Sequence, residues 1–106
     1  MKDIEHRSQV ALCQWLDAAN IQYFAIPNGG ARNAITGKRL KDEGVKAGVP
    51  DLFFPKLRLF IEMKSPDGRQ NEAQKQWMFD LRLAGYRVEV CHSAEEAIKL
   101  VEGFRL

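Results

Sequence analysis

At the centre of the sequence stand two apolar runs, Val-Pro-Asp-Leu-Phe-Phe (49–54) and Leu-Phe-Ile-Glu-Met-Lys (59–64). The second run is typical of a strand, and side chains two apart leave the same face of a strand, so Glu62 and Lys64 share a face. Asp51 opens the first run, and a short turn could bring it alongside. Two carboxylates and a lysine at the edge of an apolar sheet are costly to desolvate unless something compensates. A hard divalent cation is the simplest compensation, and we expect one here.

The rest of the chain supplies helices for both faces of these strands. Amphipathic spacing predicts helices over 4–19, 71–84 and a final segment opened by Ser93-Ala-Glu-Glu96, which has the spacing of a capping box. Short apolar runs predict strands over 21–26, 52–54, 57–63 and 86–91, the middle two forming an antiparallel hairpin. The predicted order is therefore α-β-β-β-α-β-α, an α/β fold with a mixed sheet flanked by helices.

Composition is that of one ordinary globular domain. The chain has 106 residues, 45% of them apolar and 28% charged, so we expect residues 1–106 to form a single domain. No apolar run approaches the roughly 20 residues that span a bilayer, and no signal peptide is seen, which favours the cytoplasm. Cys13 and Cys91 are far apart in apolar surroundings, so we expect buried reduced thiols; the alternative is a structural disulfide, which a cytoplasmic location argues against. Two cysteines and two isolated histidines do not predict a zinc site.

Positive charge gathers before the acidic cluster, although the net charge is only +2. Residues 28–48 contain five glycines and are predicted to be a long loop. Its basic residues could bind DNA phosphates in a sequence-independent way, and its glycines could let the backbone approach a substrate. The alternative is a charged, solvated surface loop. The basic residues are Arg32, Lys38, Arg39, Lys41 and Lys46, and the glycines at issue are Gly29, Gly30, Gly44 and Gly48.

A nucleotide-binding P-loop is excluded in this segment. Six residues separate Gly30 from Gly37 rather than four, and Arg39 stands where the hydroxyl residue is needed. We therefore expect no nucleotide cofactor.

The ordered motifs of the whole chain resemble a known family. Pro50-Asp51 followed by Glu62-Met63-Lys64 is similar to the PD-(D/E)xK nuclease motif, and the element order resembles the restriction-endonuclease-like core. Further blocks narrow the resemblance to the VRR-NUC (virus-type replication-repair nuclease) family and its small stand-alone phage and bacterial members. These blocks are Pro27-Asn28-Gly29-Gly30, Lys46-Ala-Gly48-Val-Pro50-Asp51-Leu52, Ile61-Glu62-Met63-Lys64, Gln74 with Trp77, and Gly85-Tyr86-Arg-Val88.

The resemblance implies a homodimeric DNA repair enzyme of the bacterial or phage-infected cell. It implies cutting of branched DNA, including four-way (Holliday) junctions, with Mg²⁺ or Mn²⁺. A nuclease of the same chemistry that prefers flaps or nicks is one alternative. A catalytically silent DNA-binding module is another, although a binder does not need clustered carboxylates beside phosphate.

Residue roles carried over from the family are expectations. Asp51 and Glu62 would ligate the metal, with the Met63 carbonyl as a third oxygen, and Lys64 would orient the nucleophile or stabilise developing charge. Gln74 would reach the site from its helix, but Asn71-Glu-Ala-Gln74 also has capping-box spacing. Glu5 would point at the site, or would simply match the dipole at the start of the first helix.

Overall fold

The computed structural model describes residues 2–27 and 34–105. The helices are α1 (Lys2–Ala18), α2 (Ala34–Asp42), α3 (Glu72–Leu83) and α4 (Ala94–Arg105), and the strands are β1 (Phe24–Ala25), β2 (Leu52–Phe54), β3 (Leu59–Met63) and β4 (Arg87–Cys91). A 3₁₀ turn, Pro55–Leu57, joins β2 to β3. Within the described ranges, no helix has the length and apolar character needed to cross a membrane.

The four strands form one mixed sheet in the order β1-β2-β3-β4. Strands β1, β2 and β3 pair antiparallel, whereas β3 and β4 pair parallel and are connected through α3. Parallel neighbours need such a long crossover, because a tight turn cannot return the chain to the same end of the sheet. The predicted mixed sheet flanked by helices is confirmed.

The main core lies on the face of the sheet that α1 and α4 cover. Ile61 and Met63 of β3 pack there against Leu12 and Leu16 of α1 and, together with Val101 of α4, are fully buried. The alternation along β3 turns the side chains between these residues to the opposite face. Glu62 therefore leaves the sheet on the side away from the main core, where α3 packs against β4.

The segment 28–48, predicted to be a loop, contains the helix α2. Gly37 in its middle costs about 1 kcal/mol relative to alanine and weakens the helical pattern in the sequence. The structure compensates with an ion pair of 2.9 Å between Lys38 and Asp42, one turn apart, and with Arg39 and Lys41 in the last turn, where cations suit the helix dipole. The loop prediction was wrong for residues 34–42.

The strand predicted over 21–26 is reduced to β1, two residues long. The first part of this segment belongs to the C-terminal cap of α1 instead. Asn20 takes a left-handed conformation with φ 59°, and the Ile21 amide donates to the Leu16 carbonyl at 3.0 Å. The partner strand β2 is itself short, since Pro55 opens the 3₁₀ turn directly after it. Little strand therefore remains for β1 to pair with.

Helix α3 is less buried than its amphipathic pattern predicts. Asn71 is its N-cap, and none of its residues is fully buried. Phe79 and Leu83, one turn apart, are 59% and 72% exposed. The helix packs chiefly on β4, the edge strand of the sheet. An edge position leaves one flank of the helix without a neighbour, which explains why apolar side chains remain exposed there.

Candidate active site

Strand register brings Asp51 beside the end of β3. Leu52 pairs with Ile61, so the residue before Leu52 lies next to Glu62. The Asp51 carboxylate accepts a hydrogen bond of 2.7 Å from the Met63 backbone amide. An ionised carboxylate held by a backbone N–H has a fixed orientation and a stronger bond than a neutral pair has. The short turn expected from the sequence thus places the Asp51 carboxylate beside Glu62.

Glu62 is the one charged residue among the fully buried side chains described, at 2% exposure. Its Oε2 atom is buried and makes no hydrogen bond. Burial raises the pKa of the Glu62 carboxyl above its ordinary value, contacts with Gln70 and Lys64 lower it, and the nearby Asp51 charge raises it. A buried carboxylate oxygen without a hydrogen bond is costly, so this atom would be stabilised by a cation or a hydrogen-bond donor.

Lys64 supplies part of that charge. Its Nζ lies 3.7 Å from Glu62 Oε2, and the two side chains are 13% and 3% exposed. This distance is an ion pair but is too long for a good hydrogen bond. The sequence prediction that Glu62 and Lys64 share one face is confirmed by the contact. The Lys64 amide donates to the Cys91 carbonyl at 2.8 Å, which anchors the end of β3 to β4.

Gln74 takes the structural role that the sequence left open. Its side-chain oxygen accepts from the Asn71 amide at 2.8 Å, and its own amide donates to the Asn71 side chain at 2.9 Å, which completes a capping box. A different glutamine contacts the buried acid: Gln70 Nε2 lies 3.5 Å from Glu62 Oε1 and 3.4 Å from Met78 Sδ. The sequence gives no sign of this role for Gln70, because no motif marks a residue in the turn before the helix.

Glu5 lies half-buried on α1. Across residues 2–27 and 34–105, no group of three or more His, Cys, Asp and Glu side chains is arranged to hold a metal ion. Glu5 therefore does not form a three-acid cluster with Asp51 and Glu62 in this structure. A contribution of Glu5 to the site stays a prediction.

Comparisons with known proteins identify the family and support the fold. A family model described as the VRR-NUC domain matches residues 5–95, most of the chain. The chain belongs to the VRR-NUC family. Among solved structures, it is similar to a "VRR_NUC domain protein", with a TM-score of 0.77 and 23% identity over 95% of this chain and 87% of that one. At this identity the structural match supports the fold. No curated protein matches the chain.

Membership of the VRR-NUC family makes this protein a nuclease of the PD-(D/E)xK type. Nucleases of this type generally use divalent metal ions, and the residues present fit such an ion. Asp51 and Glu62 offer carboxylate oxygens, the ligands that hard cations prefer. The buried Oε2 of Glu62 has no hydrogen bond in the structure, as expected for an atom whose partner is a cation.

Four of the five basic residues predicted to contact DNA lie on α2 or shortly after it. Lys38, Arg39 and Lys41 are exposed on that helix, and Lys46 is exposed after it. Arg32 falls outside the described residues, as do Asn28, Gly29 and Gly30. Lys38 is engaged by Asp42, which leaves Arg39 and Lys41 as the better candidates for phosphate contacts on this helix.

Gly48 approaches protein rather than an open surface. Its φ is +92°, and a Cβ at this position would lie 2.8 Å from the Ala73 carbonyl carbon at the start of α3. Gly48 is needed because the chain packs closely against α3 at this position. This contact corrects the prediction that Gly48 lets the backbone approach a substrate. Gly44, at φ +99°, has nothing within 4 Å of such a Cβ.

The raised pKa of Glu62 predicts a stability effect that depends on pH. A carboxyl with a higher pKa when folded binds its proton more tightly in the folded state. Its burial therefore costs little below the pKa of an unfolded glutamate, and destabilises the fold as the pH rises through the folded pKa. We expect Glu62→Gln to raise the free energy of unfolding of metal-free protein by about 1–3 kcal/mol at neutral pH. At about pH 3.5, where the carboxyl is protonated in both states, the substitution should have little effect.

Urea unfolding at the two pH values measures this difference. Glu102→Gln, the same substitution at an exposed position of α4, is the matched control and should change neither value by more than about 0.5 kcal/mol. A loss of stability in Glu62→Gln at neutral pH would show that the ion pair with Lys64 outweighs the burial of Glu62.

Proposed function

We propose that this VRR-NUC domain is a metal-dependent, structure-selective DNA endonuclease that cuts four-way junctions as a homodimer. The observation that carries the proposal is Glu62, a buried carboxylate with an unbonded oxygen, beside Asp51 and 3.7 Å from the Lys64 ammonium. A chain that only bound DNA would gain nothing from acids at this point, since they repel phosphate.

Asp51 and Glu62 would hold Mg²⁺ or Mn²⁺, with the Met63 carbonyl as a further oxygen ligand. A bound divalent cation would polarise the scissile phosphate and make a nearby water more acidic. The contribution of Asp51 begins before any ion arrives, because its bond to the Met63 amide fixes the carboxylate at the end of β3. Such preorganised groups cost no reorientation when the substrate binds.

Lys64 would act on the phosphate and the attacking water. In the hydrolysis, the water oxygen forms a bond to phosphorus, the bond from phosphorus to one sugar oxygen breaks, and that oxygen takes up a proton. The Lys64 side chain is only 13% exposed, so water screens its ammonium little. The ammonium would therefore stabilise negative charge strongly. It would orient the water or neutralise charge on the phosphate oxygens.

Around this site, the exposed cations of α2 would bind the DNA backbone. Contacts to phosphate carry no sequence information, so preference among DNA substrates would come from their shape. The proposed set is Lys38, Arg39 and Lys41 on α2, together with Arg32 and Lys46, which come before and after this helix in the sequence.

Lys41→Ala is expected to weaken DNA binding and to reduce its dependence on salt. Loss of one phosphate contact lowers the slope of log K against log salt by about 0.9. The control is Lys99→Ala, the same substitution at an exposed position of α4, on the opposite side of the sheet from Glu62. Fluorescence anisotropy with a labelled junction at several salt concentrations gives both slopes. Equal slopes for the two variants would place the DNA away from α2.

A dimer would match the symmetry of a four-way junction, because a two-fold protein presents two sites to two equivalent strands. Phe79 and Leu83 on α3 offer exposed apolar side chains for a second copy. Sedimentation equilibrium tests the assembly directly.

A flap- or nick-directed nuclease of the same chemistry is the second candidate. Action in the cytoplasm of a bacterial or phage-infected cell, in DNA repair, stays a prediction.

The proposal is tested with a panel of end-labelled four-way junction, flap, nicked duplex and linear duplex. Each is incubated with Mg²⁺, Mn²⁺ or EDTA. We expect the fastest cleavage on the junction with either metal and none in EDTA. Faster cleavage of the flap or nick would support the second candidate. Cleavage that persists in EDTA would overturn metal dependence.

A further inference from the structure

The turn between β3 and α3 is held against the active site at two points. At its start, the Gly68 amide donates to the Ser65 carbonyl at 2.9 Å. The turn then packs back on the site, since a Cβ on Gly68 would lie 3.2 Å from Lys64 Cβ. At its end, Gln70 reaches Glu62 Oε1 at 3.5 Å. The position of this turn therefore affects both the lysine and the buried acid.

His92 fixes this turn from the neighbouring strand. Its Nε2 lies 3.2 Å from the Gly68 carbonyl oxygen. His92 directly follows β4, whose Cys91 carbonyl accepts from the Lys64 amide. His92 is also held from α4, because its backbone amide donates to the Glu96 carboxylate. The ring Nδ1 lies 3.7 Å from the same carboxylate oxygen.

We propose that His92 is a positioning residue of the nuclease site: by holding the Gly68 carbonyl, it keeps Lys64 and Gln70 on Glu62. The influence of His92 passes through one hydrogen bond to Gly68, the residue of the turn that packs against Lys64. Removal of such an outer partner in a metal site typically costs about 10–100-fold in affinity or activity. The catalytic consequence rests on the proposed function, whereas the effect on the turn does not.

Two amide side chains that differ by one methylene separate this role from general packing. In His92→Gln, the amide nitrogen can take the place of Nε2 and donate to Gly68, whereas in His92→Asn the shorter side chain falls short of it. Both variants are polar at a position whose side chain is 41% exposed, so both should fold. His6→Asn, at an exposed position of α1, is the matched control.

The first readout uses metal-free protein and needs no activity. The side-chain amide resonances of Gln70, assigned by their loss in Gln70→Ala, are followed in ¹⁵N–¹H spectra. We expect them to shift in His92→Asn and to stay near their wild-type positions in His92→Gln and His6→Asn. Unchanged Gln70 resonances in His92→Asn would overturn the proposal, whatever the protein cleaves.

The second readout separates chemistry from binding. Single-turnover cleavage should be about tenfold slower in His92→Asn and within about twofold of wild type in His92→Gln. The Kd for the same DNA, measured in EDTA, should be unchanged in both variants. Equal slowing in the two variants would contradict a role through the Gly68 bond. Absence of cleavage by the wild type would count against the proposed function, and the Gln70 resonances would still decide the role of His92.

Discussion

Asp51→Asn is expected to lower the rate of DNA cleavage by about a thousandfold or more, which corresponds to roughly 4 kcal/mol of transition-state stabilisation. The substitution removes the charge of a proposed metal ligand and keeps its shape. The asparagine oxygen can still accept from the Met63 amide, the bond of 2.7 Å that fixes Asp51. The fold should therefore survive, and loss of Asp51 repulsion should ease the ionisation of Glu62.

Two measurements check this expectation. Single-turnover cleavage of a labelled junction in Mg²⁺ gives the loss of rate, and calorimetric titration with Mn²⁺ tests for loss of the metal site without any cleavage. Asp80→Asn, the same substitution at an exposed position of α3, is the control and should behave as wild type. An Asp51→Asn protein that still cuts at the wild-type rate would remove Asp51 from the catalytic site.

Gly48→Ala is expected to destabilise the protein by about 2–5 kcal/mol. A left-handed backbone costs a residue with a Cβ about 1–2 kcal/mol, and overpacking adds about 1–3 kcal/mol. The overpacking is specific: at φ +92°, the new Cβ would lie 2.8–2.9 Å from backbone and side-chain atoms of Ala73. Backbone atoms at the start of a helix cannot move aside cheaply.

Gly44→Ala isolates the first contribution, the cost of the left-handed backbone. Gly44 has a similar φ of +99° but open space where its Cβ would lie, so this variant should lose only about 1–2 kcal/mol. Urea unfolding of both variants gives the two losses. Similar values would show that contact with Ala73 does not constrain the approach of residues 48–51 to α3.

Local patterns in the sequence were sufficient for the elements that carry the acids. The hairpin, the shared face of Glu62 and Lys64, and the α3 capping box each depend on neighbours within a few residues. The loop prediction fails at residues 34–42 because Gly37 weakens the helical pattern there, although the Lys38–Asp42 ion pair supports the helix. Strand β1 was overestimated because its length depends on β2, which lies far along the chain.

By itself, the sequence determined the order of the strands and of the helices other than α2, the shared face of Glu62 and Lys64, and the family, because these follow from local periodicity and ordered motifs. Only the tertiary structure decided which glutamine meets Glu62, that Gly48 serves packing against α3, and that His92 holds the turn beside Lys64. These contacts arise from the parallel pairing of β3 with β4 and from the packing of α3 on β4. They join residues that lie far apart in the sequence, so no local periodicity predicts them.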